Sequence, residues 1–467
     1  MNTLLGKQTQ IASEVRDALL SNNPYMNHAS YISGEMGVGK TYIASKIIKD
    51  LQNNDSFAIV IAPKPVLEKW QTVLIGFGVS HVNIFNRKTE IPKTGVLIIQ
   101  PRDLTPALDS LRKNKIQFII YDEIHTLKME TMPFQNLDAI FQSNGHVQKP
   151  MFLGMTGTIF GQNKENLEAI LGYTHPLLFE NQNFDTTYEF MAYWTKIAWT
   201  LSLKTMQSEI GNDTGDDIIQ EVAPIKLITP TAEQKLVYQI AKSQLRKSNF
   251  NNYEESAASI LDLPDTSLIK TRNLKTRSYS NTAHQKVNYS MGFTVSELDF
   301  RKTPKYQKLL DILAKPEKTI IFVNDIPLIR KLKETLSEDG YRVQTMPSTT
   351  KAGKYSDIIN DALSQDYDIF IIQPKKISMG VDINTASRII WYQILSDLGD
   401  TIQAQRRIYR LSSTKSSIIH YLAYADTHQE KIIREISESS KKNAISYGSN
   451  DESNLAKLSG LIFDFEK

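Results

Sequence analysis

A glycine-rich segment followed by lysine and threonine carries the strongest chemical signal in this sequence. It fits the pattern G-x-x-x-x-G-K-S/T, in which glycines let consecutive backbone N–H groups turn inward around a polyphosphate. Lys40 would reach the terminal phosphates, and the Thr41 hydroxyl would be a ligand of Mg²⁺. A glycine-rich turn that binds nothing is the alternative, which the surrounding elements disfavour. The predicted phosphate-binding residues are Gly34, Glu35, Met36, Gly37, Val38, Gly39, Lys40 and Thr41.

An acidic pair, Asp122 and Glu123, follows the apolar run Phe118 to Tyr121. Carboxylates at the mouth of a buried strand are costly unless they bind a cation or a polarised water. Beside a phosphate loop, Asp122 would hold Mg²⁺ through water, and Glu123 would orient or deprotonate the attacking water. The alternative is a helix N-cap. The position of the pair, after a buried strand and downstream of Lys40, favours the catalytic interpretation.

The elements that must position these residues alternate short apolar runs with helical stretches from Met1 to about Leu178. This alternation predicts a parallel sheet wrapped by helices, in which ligands bind at the carboxyl ends of the strands. The helix Thr41 to Leu51 follows the glycine segment, so phosphates would lie at a helix N-terminus. The predicted strands are Ala29 to Ile32, Phe57 to Ile61, Val96 to Ile99, Phe118 to Tyr121 and Met151 to Leu153.

Two further strand ends carry polar candidates. Lys64 stands at the tip of a strand between two prolines, where it would meet a backbone phosphate of a nucleic acid. A solvated lysine beside a core tryptophan, Trp70, is the alternative. Thr156 would sense the phosphate state through hydrogen bonds, and a plain turn is the alternative there.

The alternation breaks down between about Leu178 and Arg301 and returns from Thr303. In the middle stretch the pattern predicts apolar helical packing over Phe184 to Leu203 and a helix over Ala232 to Leu245, with Leu236, Ile240 and Leu245 inward. The basic segment Lys270 to Lys286 is either a phosphate-tracking surface or a solvated charge run. From Thr303 onward the pattern predicts a second parallel sheet. Its predicted strands are Lys318 to Val323, Tyr341 to Gln344, Ile369 to Ile372 and Ile389 to Trp391, and the predicted helices are Ile326 to Leu336 and Tyr355 to Leu363.

Arg407 and Arg410 are spaced to share one face of a helix. Two arginines that point together repel each other unless an anion lies between them. A γ-phosphate would be that anion, which makes the pair candidate arginine fingers of phosphoryl transfer. An exposed basic helix is the alternative.

Taken in order, these segments resemble the motifs of superfamily 2 helicases, and most closely those of Swi/Snf-type DNA translocases. Gly34 to Thr41, Ile61 to Lys64 with Trp70, and Asp122 to His125 are similar to the first motifs of that group. Departures occur later, where Asp382 stands in place of a small residue, Arg406 in place of a glycine, Tyr409 in place of a histidine and Ile159 in place of a proline. The remaining matching segments are Thr156 to Thr158 with Gln162 and Asn163, Pro224 to Tyr238, Gly380 to Asn384, and Gln403 to Arg410.

The resemblance implies an α/β fold of two RecA-like parallel-sheet lobes with a helical insertion or linker between them. The expected ranges are residues 1–230 for the ATP-binding lobe, 231–300 for the linker and insertion, and 301–467 for the second helicase lobe. ATP and Mg²⁺ would bind with Lys40, Asp122 and Glu123 on one side and Arg407 and Arg410 on the other, and Gln8 or Gln10 would read the adenine. The implied nucleic-acid contacts are Lys64, Trp70, Arg102, Thr156 and Ser378.

Composition bounds the class of protein. The chain has 467 residues, 41% hydrophobic and 22% charged, which is ordinary for a globular protein of two or three domains. A net charge of +3 is small for this length, so a nucleic-acid surface must be a local patch. The absence of cysteine excludes disulfides and thiolate metal sites. No signal-peptide or membrane-helix pattern is present, so we expect a cytoplasmic protein without a membrane partner.

Three functions follow from the sequence. The first is an ATP-driven translocase on double-stranded DNA, a motor without accessory domains of bacterial or phage type. The second is a strand-separating helicase on DNA or RNA, so that single-stranded DNA or RNA would be the partner. The third is an ATP-switched scaffold with little response to nucleic acid. A recruiting protein partner is expected, but the sequence does not identify one.

Overall fold

The structure is a computed structural model whose residues fall into two compact units. The first consists of Met1–Ile219, Gln405–Thr414 and Ser439–Ile462, and the second of Gln220–Ala404, Lys415–Glu438 and Phe463–Lys467. The structure describes residues 2–465 apart from 24, 26, 36, 54, 89, 128–130, 145–149, 158–167, 169, 173, 176, 178–193, 195–196, 202–219, 248–252, 264–298, 347–354, 378–382, 384–385, 397, 409–415 and 447–464.

The described strands of the first unit form one seven-stranded sheet in which every pairing is parallel. Its strands are β1 Ala29–Gly34, β2 Phe57–Ile61, β3 Val82–Ile84, β4 Gly95–Ile99, β5 Phe118–Asp122, β6 Met151–Thr156 and β7 Ala198–Leu201. The order across the sheet is β3-β4-β2-β5-β6-β1-β7. The helices are α1 Gly6–Leu20, α2 Lys40–Leu51, α3 Leu67–Gly76, α4 Leu104–Leu111 and α5 Met132–Asn144.

Both faces of this sheet are buried. Alternate residues of β2 point to opposite faces, so Val60 packs with the α1–α3 side and Ile59 and Ile61 pack with the α4–α5 side. This arrangement requires apolar residues at successive positions, which explains the uninterrupted run Phe57–Ile61. The polar residues of this unit are therefore concentrated beyond the strand ends.

The second unit contains a six-stranded sheet among its described residues, again with every pairing parallel. Its strands are β8 Gln220–Val222, β9 Thr319–Phe322, β10 Val343–Thr345, β11 Ile369–Ile372, β12 Arg388–Trp391 and β13 Ser417–Tyr421, in the order β10-β11-β9-β12-β13-β8. The helices that begin in this part of the chain are α6 Ala232–Lys247, α7 Tyr253–Asp262, α8 Pro304–Leu313, α9 Ile326–Glu338, α10 Tyr355–Ser364, α11 Pro374–Ile377, α12 Leu398–Gln405 and α13 His428–Ser446.

A buried ion pair joins α7 to α8 in the core of the second unit. Lys305 Nζ donates to Asp262 Oδ1 at 2.7 Å and to Gln429 Oε1 at 2.9 Å. The ammonium also lies 5.0 Å from the ring centroid of Tyr392 and 5.3 Å from that of Tyr424, within the range of a cation–π contact. Burial lowers the pKa of Lys305, and the charge of Asp262 opposes that shift.

Asp262 has hydrogen bonds to both of its carboxylate oxygens. Besides Lys305, Gln429 Nε2 donates to Oδ1 at 3.1 Å and Gln393 Nε2 donates to Oδ2 at 3.2 Å. Gln393 in turn accepts from the backbone N–H groups of Asn324 and Asp325, both at 2.9 Å. The carboxylate therefore connects α7 to the turn that precedes α9.

The strands and helices predicted around the phosphate-binding segment and in the second sheet are confirmed, with ends that differ by up to three residues. Two predictions in the middle stretch are wrong. Ala198–Leu201, within the range expected to be helical, is a strand that pairs with β1. Leu236 is 57% exposed, and the inward face of α6 is formed by Val237, Tyr238, Ala241 and Leu245.

The short or half-exposed strands β3, β8 and β13 were not predicted from the sequence. β8 pairs with β13, and α6 and α7 pack in the core of the second unit, whose first stretch begins at Gln220. The basic segment Lys270 to Lys286 lies outside the described residues. Among those that are described, no helix is long and apolar enough to cross a membrane.

Candidate functional site

The glycine segment connects the end of β1 to the start of α2. Gly37 and Gly39 have φ of 89° and 90°, a left-handed conformation that strains residues with a side chain. Gly39 is the N-cap of α2, and Lys40 is the first residue of the helix. The free N–H groups of the helix start therefore lie next to the loop, as an anion site requires.

Lys40 is buried at the loop. Its Nζ donates to the backbone carbonyl of Gly34 at 2.7 Å and to that of Glu35 at 3.2 Å. A buried ammonium must satisfy its donors, and here carbonyls of its own loop accept them. Anionic phosphate oxygens are stronger acceptors than neutral carbonyls, so the same ammonium can bind a polyphosphate at the loop.

Gln8 packs against this loop from α1. Its Nε2 donates to the Val38 carbonyl at 2.8 Å, and its Oε1 accepts from the Leu5 N–H at 3.0 Å. A Cβ placed on Gly39 would lie 2.4 Å from Gln8 Nε2, so a side chain there would displace the Gln8 amide in addition to straining the backbone at its positive φ. Gln10, the other candidate from the sequence, bonds to Glu14 at the surface of α1.

Asp122 is the last residue of β5, beside β6 in the sheet. Its Oδ2 accepts a 2.8 Å hydrogen bond from Trp70 Nε1. Burial, with a contribution from the charge of Glu123, raises the pKa of Asp122 to about 6, and the Trp70 hydrogen bond and the charge of Lys40 oppose the rise. The carboxylate is thus close enough to Lys40 and Glu123 to respond to their charges, and a nearby cation would favour its ionised form.

Glu123 has a left-handed backbone, with φ of 58°, and begins the turn Ile124–Thr126. Its Oε2 is buried and makes no hydrogen bond within the described part of the chain. The Nδ1 of His125 lies 3.3 Å from that oxygen and 2.9 Å from Thr156 Oγ1. A buried carboxylate oxygen without a donor is suited to accept a hydrogen bond from a water.

These residues fit a nucleotide with Mg²⁺. Within the described residues no group of three or more His, Asp or Glu side chains could hold a metal by itself. Mg²⁺ at phosphate sites takes one or two carboxylates together with substrate oxygens and water, and Asp122 provides one such carboxylate. Thr41, the other predicted ligand, is the second residue of α2 and is half-buried.

Arg406 and Arg407 lie beyond the end of a helix. α12 ends at Gln405, and Arg406 and Arg407 follow in a turn, so the prediction of a shared helical face is wrong for Arg407. Both side chains are buried, and both belong to the stretch Gln405–Thr414 of the first unit. Arg406 Nη2 lies 3.3 Å from Glu35 Oε1. Arg410 lies outside the described residues.

Two of the predicted nucleic-acid contacts have buried side chains in this structure. Trp70 is fully buried in the core with its indole N–H bonded to Asp122, so its ring is not available to stack on a base. Thr156 is buried, and its hydroxyl contacts His125. Lys64 and Arg102 are exposed, in the short turns Lys64–Val66 and Pro101–Asp103. Met36 and Ser378 lie outside the described residues.

Two contacts of the site were missed from the sequence. The Glu35 N–H donates to the Leu201 carbonyl of β7 at 2.9 Å, which fixes the start of the loop. Arg406 contacts the side chain of the same residue. The replacement of a glycine by Arg406 was a visible signal for the second contact, whereas nothing in the apolar pattern identified β7.

Comparisons with known proteins agree with the order of these segments. The family "Type III restriction enzyme, res subunit" matches residues 3–161, and the family "Helicase conserved C-terminal domain" matches residues 304–412. These ranges contain the glycine segment and acidic pair in one case and the arginines in the other.

Curated relatives match most of this chain. The chromatin structure-remodeling complex protein SYD of Arabidopsis thaliana is 22% identical over 87% of this chain and 12% of the relative. The human DNA repair and recombination protein RAD54B is 22% identical over 87% of this chain and 51% of the relative. The chain thus spans about half the length of these relatives or less.

A solved structure, the Sulfolobus solfataricus SWI2/SNF2 ATPase core in complex with dsDNA, is similar with a TM-score of 0.40 and 18% identity. The similarity covers 98% of this chain and 97% of that one. Two helicase-type family matches in order, relatives that match most of this chain, and two parallel α/β units agree with one another. The chain is similar to the Swi/Snf-type group of superfamily 2 helicases.

Proposed function

We propose that this protein is an ATP-dependent motor that moves on double-stranded DNA. The observation that carries the proposal is the arrangement at the end of the first sheet. There a buried Lys40, held by a glycine loop at a helix start, lies near enough to Asp122 for its charge to influence that carboxylate. Glu123, the next residue, has a buried oxygen that makes no hydrogen bond among the described residues.

In the proposed reaction each residue has one role. The backbone N–H groups of Gly37 to Thr41 and the ammonium of Lys40 bind the phosphates of ATP. Asp122 and Thr41 would hold Mg²⁺, which when bound offsets the negative charge of the phosphates. Glu123 accepts a proton from the attacking water, and Arg407 and Arg410 stabilise the charge on the transferred phosphoryl group. Gln8 is proposed to recognise the adenine.

Removal of the γ-phosphate would change what Lys40 and the arginines bind, and this change is the proposed source of movement. Lys64 and Arg102, exposed in turns after strands of the first sheet, and Ser378 are proposed to contact the nucleic acid. Phosphate contacts would make binding salt-dependent and largely blind to base sequence. The relatives whose names refer to chromatin remodeling and DNA repair support duplex DNA as the partner. We propose that the protein acts in the cytoplasm of a bacterial or phage-infected cell. Its cysteine-free composition is compatible with such a reducing compartment.

The test is phosphate release from ATP in the presence of Mg²⁺ with no nucleic acid, duplex DNA, single-stranded DNA or RNA, together with a strand-separation assay. Stimulation by duplex DNA without unwinding is the expected result. Unwinding would instead indicate a strand-separating helicase, and no response to any nucleic acid would indicate an ATP-switched scaffold. Either outcome overturns the proposed translocase.

The variant Glu123→Gln tests the assigned base. It keeps the size of the side chain but cannot accept the proton, so we expect ATP to bind while hydrolysis falls about 100-fold or more. Normal phosphate release by this variant would remove Glu123 from the mechanism. Arg407→Ala should likewise bind ATP and lose DNA-stimulated turnover.

A further inference from the structure

Arg406 is a buried arginine that the proposed reaction does not use. It stands where the resembled motif has a glycine, so the side chain is an addition of this sequence. Arg406 is 2% exposed, and Glu35, the second residue of the glycine loop, is 5% exposed. Their side chains meet at 3.3 Å between Nη2 and Oε1.

Glu35 connects several parts of the loop. Its N–H donates to the Leu201 carbonyl, and its own carbonyl accepts from Lys40 Nζ at 3.2 Å and from the Val38 N–H at 3.4 Å. The backbone of Glu35 is thus part of the support of Lys40, and its side chain is the part that reaches Arg406. A change at the side chain would therefore act on the loop directly.

The charges define the effect of this contact. A carboxylate within a loop that binds a polyphosphate repels the ligand, and a guanidinium in contact with the carboxylate offsets that repulsion. Arginine remains protonated even when buried, so the offset is permanent at all ordinary pH values. Salt screens buried charges little, so the charges of Arg406 and Glu35 act on phosphates bound at the loop even at ordinary salt concentrations.

We propose that Arg406 is a positioning residue that offsets the charge of Glu35 and thereby sets the affinity of the glycine loop for the triphosphate of ATP. It acts through Glu35 and does not touch the reacting atoms. The inference rests on the proposed use of ATP.

The experiment compares substitutions that separate charge from shape. Arg406→Gln removes the charge at similar length and should raise the KM for ATP about tenfold, with kcat changed less than about threefold. Arg406→Lys keeps the charge and should leave KM within about twofold of the unmodified protein. Glu35→Gln removes the repelling carboxylate and should lower KM.

The double variant Glu35→Gln with Arg406→Gln decides the mechanism. Because the double variant removes both charges, its KM should return to within about threefold of the unmodified value. If the single variants instead act by damaging the packing, the KM of the double variant should be higher than that of Arg406→Gln. An unchanged KM in Arg406→Gln, or a double variant no better than Arg406→Gln, overturns the proposal. The surface pair Arg16 and Asp17 of the same unit is the matched control, and Arg16→Gln should leave KM unchanged.

Urea unfolding without nucleotide gives a second measurement. The shifts in midpoint for Glu35→Gln and Arg406→Gln should not add in the double variant, because the two side chains are in contact. Additive shifts would overturn the pairing itself. Failure of the proposed function has a different signature, since the unmodified protein and Lys40→Ala would then be equally inactive toward ATP.

Discussion

The two units bury polar groups in different ways. In the second unit, both oxygens of Asp262 accept hydrogen bonds, from Lys305 and Gln429 at one oxygen and from Gln393 at the other. In the first unit, one oxygen of Glu123 is buried without a hydrogen bond among the described residues, and Asp122 next to it has a raised pKa. Satisfied buried groups hold a structure together, whereas incompletely satisfied ones are available to a water, a cation or a substrate.

The largest expected effect is the loss of ATP turnover in Lys40→Ala. Without the ammonium at the loop, phosphate release per folded molecule should fall at least about 100-fold, because the donor that binds the phosphates is lost. Lys46→Ala, on the exposed side of the same helix, is the control and should keep full turnover. Normal phosphate release by Lys40→Ala would remove the glycine loop from the reaction.

Lys305→Met should show the opposite pattern. It leaves the carboxylate of Asp262 buried without its ammonium partner, which should lower the free energy of unfolding by about 3–5 kcal/mol. ATP turnover per folded molecule should be retained at low temperature. Adding Asp262→Asn should recover at least half of the loss, and the exposed Lys302→Ala should change stability by less than about 0.5 kcal/mol. A loss of turnover without a loss of stability would contradict the contrast between the units.

A buried histidine, His175, and a half-buried one, His420, give a pH test that addresses each unit separately. Burial lowers the pKa of His175 in the first unit, and of His420 in the second, from 6.5 to about 4. The unfolded chain binds the proton near pH 6.5 and the folded chain only near 4, so stability is fully present above pH 6.5 and is lost as the pH falls toward 4. For His175 this loss is about 2 kcal/mol by pH 5.

The measurement is urea unfolding at pH 7.5 and pH 5.0 for His175→Leu and His420→Leu. Each substitution should remove the part of the pH dependence of the free energy of unfolding that its own histidine causes. A pH dependence that neither substitution reduces would show that other groups control acid sensitivity.

The smallest expected effect distinguishes a surface contact from a core residue. Lys64→Ala should weaken binding to duplex DNA at every sequence and reduce the slope of log affinity against log salt by about 1. Trp70→Phe should leave DNA affinity unchanged but lower the free energy of unfolding by about 1–3 kcal/mol, because Asp122 loses its indole donor. Weaker DNA binding by Trp70→Phe at full stability would restore the predicted base contact.

The comparison also shows which parts could be predicted from the sequence. The central strands of both sheets were predictable because each is buried on two faces and reads as an unbroken apolar run, such as Phe57–Ile61 and Ile369–Ile372. The glycine loop was predictable because its backbone geometry permits few residue types. Half-exposed strands such as β3 lack that signal, and β7 is only four residues long with its two central residues half-buried.

Long-range side-chain contacts were the other limit. The resemblance implied a nucleic-acid contact for Trp70 as for Lys64, but helix α3 turns the indole into the core, where it bonds to a residue 52 positions later. A turn follows Gln405 where a helix was predicted. The three-residue spacing of Arg407 and Arg410 therefore does not indicate a shared helical face. Spacing predicts neighbours within an element, and it does not predict where that element ends.

The hydrogen bond from the Glu35 N–H to the Leu201 carbonyl bears on the order of events during synthesis. The glycine loop is synthesised first, the strand that accepts the Glu35 N–H follows about 160 residues later, and Arg406 comes later still. Contacts between residues so far apart form slowly and late. A nascent chain would therefore carry an incompletely supported nucleotide loop until the segment with Arg406 has also been made and can fold onto it.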